Sequence, residues 1–194
     1  MSYQSAPAWS PEAIERRYHL RPESQNFAAS EYERDRYQAT LGGLLRGSYK
    51  SAFEPGCLMG ELTVQLAQFC ERVVAIDIAP SAVARARQRC AGLSHVEIYR
   101  ADPATHRPVG PFDLIVLSEL GYYFSPRQLL EFALPLASQL APGGELVAVH
   151  WLGADKDRLM HGDAVHSLLL AHLPLEWIQG DRDGGFRIDT WIRS

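Results

Sequence analysis

Cysteine is scarce: three in 194 residues, Cys57, Cys70 and Cys90, none in a C-x-x-C pair. An odd, scattered set excludes a disulfide framework and a cysteine-built zinc site, and no metal centre is expected. Runs of like charge are missing too. With 19 Lys and Arg against 23 Asp and Glu, the net charge is −4, which gives neither a nucleic acid nor an anionic membrane a surface to bind. No apolar run approaches the roughly 18 residues of a membrane span, and the opening Met-Ser-Tyr-Gln-Ser-Ala-Pro has neither region of a secretory signal. The expected location is therefore cytoplasmic. Internal repeats and low-complexity tracts are lacking. Both common phosphate-binding signatures are lacking as well: Leu58 stands where the second glycine of G-x-G-x-x-G would be, and there is no G-x-x-x-x-G-K-[ST].

What is present is the composition of one globular domain, 46% hydrophobic and 22% charged. Residues 1–26, with Pro7, Pro11 and Pro22 among polar residues, read as an irregular segment with at most a turn or two of helix. Residues 27–194 read as the folded domain. A helical pattern over 28–45 precedes a short apolar strand near 52–54. Helix 61–70, strand 72–76, helix 80–90, strand 95–99, strand 112–117, helix 126–140 and strand 145–150 follow. Pro142-Gly143-Gly144 reads as a break before the last of these. Helix 163–171, strand 175–179 and strand 186–192 complete the chain, the final pair joined by a turn at Gly184-Gly185. This alternation predicts an α/β fold: a Rossmann-like, doubly wound, seven-stranded, mostly parallel sheet with one antiparallel strand near the C-terminus.

The organising stretch is 52–63, Ala-Phe-Glu-Pro-Gly-Cys-Leu-Met-Gly-Glu-Leu-Thr. Glu54 ends the apolar lead-in, Gly56 and Gly60 let the backbone turn tightly and approach a ligand, and a helix follows. The next strand ends in Asp77, a carboxylate placed to accept both hydroxyls of a ribose. The ligand so described has a ribose and needs no phosphate site.

Four segments, Ala-Phe-Glu-Pro-Gly-Cys with Gly60, Val-Val-Ala-Ile-Asp-Ile at 73–78, Phe-Asp-Leu-Ile-Val-Leu-Ser-Glu at 112–119 and Leu-Ala-Pro-Gly-Gly-Glu-Leu-Val at 140–147, stand in the order and at the intervals of class I S-adenosylmethionine-dependent methyltransferases. Within that class the chain from about residue 27 onward resembles the family of nodulation protein S, an N-methyltransferase of partly deacetylated chitin oligosaccharides. Tyr-Glu-Arg-Asp-Arg-Tyr at 32–37, Glu-Pro-Gly-Cys at 54–57, Leu-Ser-Glu through Tyr-Tyr at 117–123 and Gly-Asp-Ala-Val-His at 162–166 carry that likeness. Leu58 departs from the glycine of most class I enzymes. The resemblance implies S-adenosyl-L-methionine as cofactor, a small-molecule acceptor, and a cofactor site of Tyr32, Arg36, Glu54, Gly56, Gly60, Asp77, Ile78, Asp102 and Ser118. Tyr32, Arg36 and Tyr37 would cover the methionine end, although the tyrosines also read as core residues. Asp102 would take the adenine amino group, or it caps a turn.

For the acceptor side the candidates are Glu119, Tyr122 and Tyr123 after the fourth strand, His150 and Trp151 after the fifth, and His166. Aromatic faces suit sugar rings and cations, so Tyr122, Tyr123 and Trp151 are read as substrate-binding, while the tyrosines also read as closing the cofactor cleft. His166, His150 and Glu119 are read as catalytic. Asp163 looks like a helix N-cap that places His166 at the third helical position, where the positive helix end favours a neutral imidazole able to take a proton. A histidine bonded to the backbone is the competing account. His161 and His166 are five apart, a turn of about 140° on a helix, so a shared metal is not expected. Cys57 reads as a small apolar residue under the loop or as a reactive thiol. O-methylation of a small metabolite, a catalytically silent cofactor-binding module and a nicotinamide oxidoreductase stand as alternatives, the last weakened by the missing fingerprint.

Overall fold

The computed structural model describes residues 14–15, 31–106, 108–183 and 185–194. At its centre β1, Ala52–Pro55, is buried along its whole length. Helix α1 (Glu31–Gly42) precedes it, and α2 (Glu61–Leu66), β2 (Val73–Asp77), α3 (Pro80–Arg89), β3 (Val96–Arg100) and β4 (Phe112–Ser118) follow. The rest is α4 (Pro126–Ser138), β5 (Leu140–Trp151), α5 (Gly162–His172), β6 (Glu176–Asp183) and β7 (Phe186–Ile192).

The seven strands lie in the order β3-β2-β1-β4-β5-β7-β6, with β7 antiparallel to both β5 and β6. The expected sheet is therefore the observed one. Its winding reverses between β1 and β4, and the carboxyl ends of strands flanking such a reversal open a crevice outside the sheet. Both faces of the sheet are covered. Ile115 and Leu117 of β4 join Ile76, Leu129, Phe132 and Leu136 in one core, and Leu114 and Val116 join Tyr37, Leu62, Leu66 and Val149 in the other. That is why β4 reads as a continuous apolar run.

Four local details differ from the expectation, the first two because of long-range pairing. Helix α2 stops at Leu66 instead of running to 70, because Phe69 and Cys70 are held by Tyr49 at the sheet edge: the Tyr49 N–H donates to the Phe69 carbonyl at 2.8 Å, and Tyr49 bridges Cys70. Pro142-Gly143-Gly144 is a bulge within β5 and no break, since pairing to β4 starts at Phe112 with Leu140 and resumes, shifted, at Leu114 with Glu145. Strand β6 runs on to Asp183. On α1 the buried residues are Glu33, Arg36, Tyr37 and Thr40, a helical stripe that is mostly polar. Of the segment 1–26, only Ile14 and Glu15, which are helical, fall among the described residues; the start of the domain at 27 and Gly184 also lie outside them. Among the described residues no helix is long and apolar enough to cross a membrane.

Candidate functional site

The turn after β1 has the geometry that its sequence asks for. Gly56 and Gly60 have φ of 77° and 79°, in the left-handed region. A Cβ on Gly60 would stand 3.1 Å from the Cα of Ala86, so this glycine also lets α3 close on the loop. Leu58 adopts φ 51°, a glycine-like conformation held by a leucine, so the backbone at this position is the one a glycine would give despite the departure in sequence. Asp77, at the tip of β2, is 3% exposed and accepts from the Leu58 N–H at 3.0 Å and from the Ala79 N–H at 2.9 Å. Burial pushes its carboxyl up to about 6, against the pull of those backbone bonds. Glu54 lies behind the turn, where its carboxyl, pushed up to about 8 by burial, accepts from the Thr63 hydroxyl at 2.6 Å. Ile78 is buried beside Asp77, and its carbonyl accepts from Arg100 Nε. Asp102 Oδ1 accepts from the Ala104 N–H at 2.8 Å, the bond of a turn-forming aspartate. Cys57 is buried, and its thiol is raised well above the ordinary value by that burial, which makes it an inert packing residue.

Across the crevice, at the end of β4, the structure brings α1 and the acceptor-side residues together. Arg36, 2% exposed, donates from Nη1 to the Ser118 hydroxyl at 2.7 Å and pairs through Nη2 with Glu33. Glu119, itself at φ 56°, accepts from the Trp151 N–H at 2.6 Å on Oε1 and from the Tyr122 hydroxyl at 2.5 Å on Oε2. Burial first, then the Glu119 charge, raises the Tyr122 phenol well above its usual value, so it remains the donor in that bond. Tyr123 packs edge-on against Tyr122 at 4.9 Å. Arg158, from the loop after β5, lies 3.9 Å from the Tyr122 ring and 4.3 Å from the Trp151 ring, with Nη2 3.8 Å from Glu119 Oε2.

His150 and His166 lie behind this group, both wholly buried. The Gly121 N–H donates to His150 Nε2 at 2.9 Å, which leaves the His150 proton on Nδ1, donated to His166 Nε2 at 3.1 Å. The His166 proton is then on Nδ1 and goes to Asp189 Oδ2 at 2.6 Å. Every ring nitrogen is spent. Burial lowers both imidazoles, His150 well below the ordinary value and His166 against the pull of Asp189, so the chain of bonds holds them neutral. Gly121 is a glycine because a Cβ there would meet Val165 Cγ1 at 2.6 Å and His150 Nε2 at 2.9 Å.

Two expectations change as a result. The N-cap of α5 is His161, whose Nδ1 accepts from the Asp163 N–H; Asp163 is the second helical residue and pairs with Arg182 and Arg187. His166 is thus fifth in the helix, and burial, not the helix end, lowers its pKa. Neither histidine keeps a lone pair for a substrate proton, so the geometry suits orientation of Gly121 and its neighbours. His161, exposed at the cap, has its Nε2 bonded to the Leu152 carbonyl.

Sequence reasoning missed Glu33, Arg158 and Asp189. Asp189 carried a signal, an acid within the apolar strand Phe-Arg-Ile-Asp-Thr-Trp-Ile, and Glu33 shares the polar stripe of α1. Arg158 carried none, since Asp155-Lys156-Asp157-Arg158 reads as a solvated charge cluster.

Comparison with known proteins gives a consistent result. The sequence model of Nodulation protein S matches residues 12–160. Nodulation protein S of Rhizobium tropici is 32% identical over 160 residues, covering 78% of this chain and 67% of that protein. The corresponding protein of Sinorhizobium fredii is 37% identical over 121 residues, 61% of this chain and 56% of its own length. The chain thus spans little more than half of one of these curated relatives and two thirds of the other. The N-methyltransferase NodS of Bradyrhizobium japonicum, solved in complex with S-adenosyl-L-homocysteine, superposes with a TM-score of 0.77 at 25% identity, covering 87% of this chain and 90% of that one. With the family's sequence model matching well over half of its length, on a sheet wound in the order found here, the chain belongs to the nodulation protein S family.

Proposed function

We propose that this protein is an S-adenosylmethionine-dependent N-methyltransferase acting on an amino group of a small polar acceptor such as an amino sugar. The observation that carries the reading is the pairing, at one crevice, of the Asp77-tipped β2 and its left-handed glycine turn with the polar group around Glu119. The residues fit the cofactor. Asp77 keeps lone pairs for ribose hydroxyls, the Gly56 backbone can approach the ligand closely, and Arg36 Nε and Tyr32 Oη are buried donors without a partner among the described residues, suited to the carboxylate of a methionine moiety. Ile78 and Asp102 would lie along the adenosine, with Glu54 and Ser118 holding the turn and Arg36 in place.

S-adenosylmethionine, when bound, supplies a methyl group on a sulfonium, already activated for in-line displacement. The protein must then position an unprotonated amine and exclude water, and positioning alone can be worth roughly 7 to 11 kcal/mol. Of the three catalytic candidates, Glu119 is the one at the crevice; it draws the acceptor's ammonium in and takes its proton, with Tyr122, Tyr123 and Trp151 walling the acceptor. His150 and His166 are positioning residues that hold the Gly121–Tyr123 turn. The net charge of −4 favours such an acceptor over nucleic acid.

The test is methyl transfer from S-adenosylmethionine to glucosamine and to N-acetylglucosamine. N-methylglucosamine as product, with the acetylated sugar inert, is the expected result. Methyl transfer to the hydroxyls of both sugars would replace N- by O-methylation. Binding of S-adenosylhomocysteine without transfer to any acceptor would mean a silent module.

A further inference from the structure

Among the described residues, the buried side-chain nitrogen and oxygen atoms without a hydrogen-bond partner are Tyr32 Oη, Arg36 Nε and Arg158 Nε and Nη1. All can donate, and they come from residues grouped about Glu119, whose charge acts on both Tyr32 and Arg36. A buried guanidinium with idle donors is costly to keep, so such a group points to a ligand that brings oxygens. Arg36 and Tyr32 sit on α1, with Arg36 tied to Ser118, and suit the cofactor's carboxylate. Arg158 is different. It belongs to the loop after β5, its side chain is 13% exposed, and its guanidinium carbon lies over the Tyr122 and Trp151 rings beside Glu119. Glu119 does not satisfy it: the contact is 3.8 Å, an ion pair too long for a hydrogen bond, and it reaches Nη2 and neither idle nitrogen.

We propose that Arg158 is an oxyanion subsite of the acceptor pocket, so that the acceptor carries an acidic group, phosphate or carboxylate, in addition to its amine. A neutral amino sugar offers only hydroxyls to these donors, and the Glu119 carboxylate at 3.8 Å pairs with the charge without bonding to the idle nitrogens. A phosphate or carboxylate supplies both lone pairs and charge, and a rigid, ring-clamped guanidinium is the donor suited to either. This deepens the acceptor reading given above and rests on it.

The experiment is calorimetric titration of glucosamine 6-phosphate, glucosaminic acid and glucosamine into the protein saturated with S-adenosylhomocysteine. At least one acidic sugar should bind roughly 10- to 100-fold more tightly than glucosamine, and which one does so separates phosphate from carboxylate. In Arg158→Gln that preference should vanish, and in Arg158→Lys it should fall partway, because the charge remains without the planar donor array. Affinity for S-adenosylhomocysteine and the melting temperature, measured on the same preparations, should stay at the parent's values. Equal binding of the three sugars by the parent, no binding of any, or an unchanged preference in Arg158→Gln would overturn the subsite. Loss of S-adenosylhomocysteine affinity in that variant would assign Arg158 to the cofactor instead. Tight, Arg158-dependent binding of an acidic sugar with no methyl transfer to it would leave the subsite standing and remove the N-methyltransferase reading.

Discussion

At the β1–β2 lip of the crevice the buried acid is already served by its own backbone: Asp77 accepts the Leu58 and Ala79 N–H groups, one on each oxygen. At the β4–β5 lip the polar groups are mostly side chains from distant elements, Arg36 from α1, Glu119 from β4's end and Arg158 from the loop after β5, and several donor atoms there have no hydrogen-bond partner among the described residues. The first lip is assembled before any ligand arrives, by residues close in sequence. The second is assembled by the fold and left chemically open. Under the proposed function, such a division would let one turn serve a constant cofactor while the acceptor side changes with its loops, where specificity is usually carried.

The largest expected effect tests whether Asp77 is both a loop fastener and a ligand. Asp77→Asn is isosteric but carries no charge, and its amide nitrogen would face one of the two backbone N–H groups. Affinity for S-adenosylhomocysteine should fall by about 2 to 4 kcal/mol. The parent's affinity should also weaken as pH falls through about 6, where burial places this carboxyl, because protonation competes with acceptance from ribose hydroxyls. The slope is at most about tenfold per pH unit. Stability moves the other way. A raised carboxyl holds its proton more tightly in the folded chain than in the unfolded one, so its contribution is lost as pH rises from about 4 to about 6. The variant should lack both slopes. Calorimetry and melting curves from pH 5 to 8 measure them, and a parent affinity that does not change with pH would exclude Asp77 as the ribose acceptor.

The same division governs how much could be read from sequence. The glycine turn, Asp77 and the polar end of β4 are runs of adjacent residues, and each announces its own backbone conformation, so they were legible, as was the seven-stranded, mostly parallel sheet implied by the alternation of elements. Helix α2 was read too long because Tyr49, outside it, takes Phe69 and Cys70. Polar α1 was read for its core through its tyrosines, when Glu33, Arg36 and Thr40 make up most of its buried stripe. Arg158 had no local mark at all. His166 was picked from its segment, but its partners, His150 and Asp189, come from β5 and β7, and only their arrangement shows that its nitrogens are spent.

A second experiment asks whether that histidine pair supports the open lip or works in it. His166→Ala removes a buried ring and strands the His150 N–H, which should cost about 2 to 4 kcal/mol of stability. A histidine whose pKa is lowered by burial contributes stability that is lost as pH drops below its unfolded value near 6.5, since the unfolded chain then takes a proton that the folded ring refuses. The variant's stability should therefore fall less on acidification than the parent's. Below the melting transition its affinity for S-adenosylhomocysteine should match the parent's. Full stability with turnover abolished would make His166 a proton acceptor after all.

The smallest effect sharpens the account of the closed lip. Leu58 holds a left-handed φ of 51°, which costs an L residue about 1 to 2 kcal/mol. Leu58→Gly relieves that strain, but it also frees the unfolded chain by roughly 0.5 to 1 kcal/mol and gives up some half-buried apolar surface. The terms nearly cancel, so stability should change by less than about 1 kcal/mol in either direction. What matters at this position for Asp77 is the N–H, and the bond from residue 58 to Asp77 Oδ2 is made by the backbone, so glycine keeps it. Affinity for S-adenosylhomocysteine should accordingly be unchanged. Thermal melting and the same calorimetric titration check both halves. A variant that melts as the parent does yet loses the ligand would show that the Leu58 side chain itself touches it, and the turn would then no longer be a site made by backbone alone.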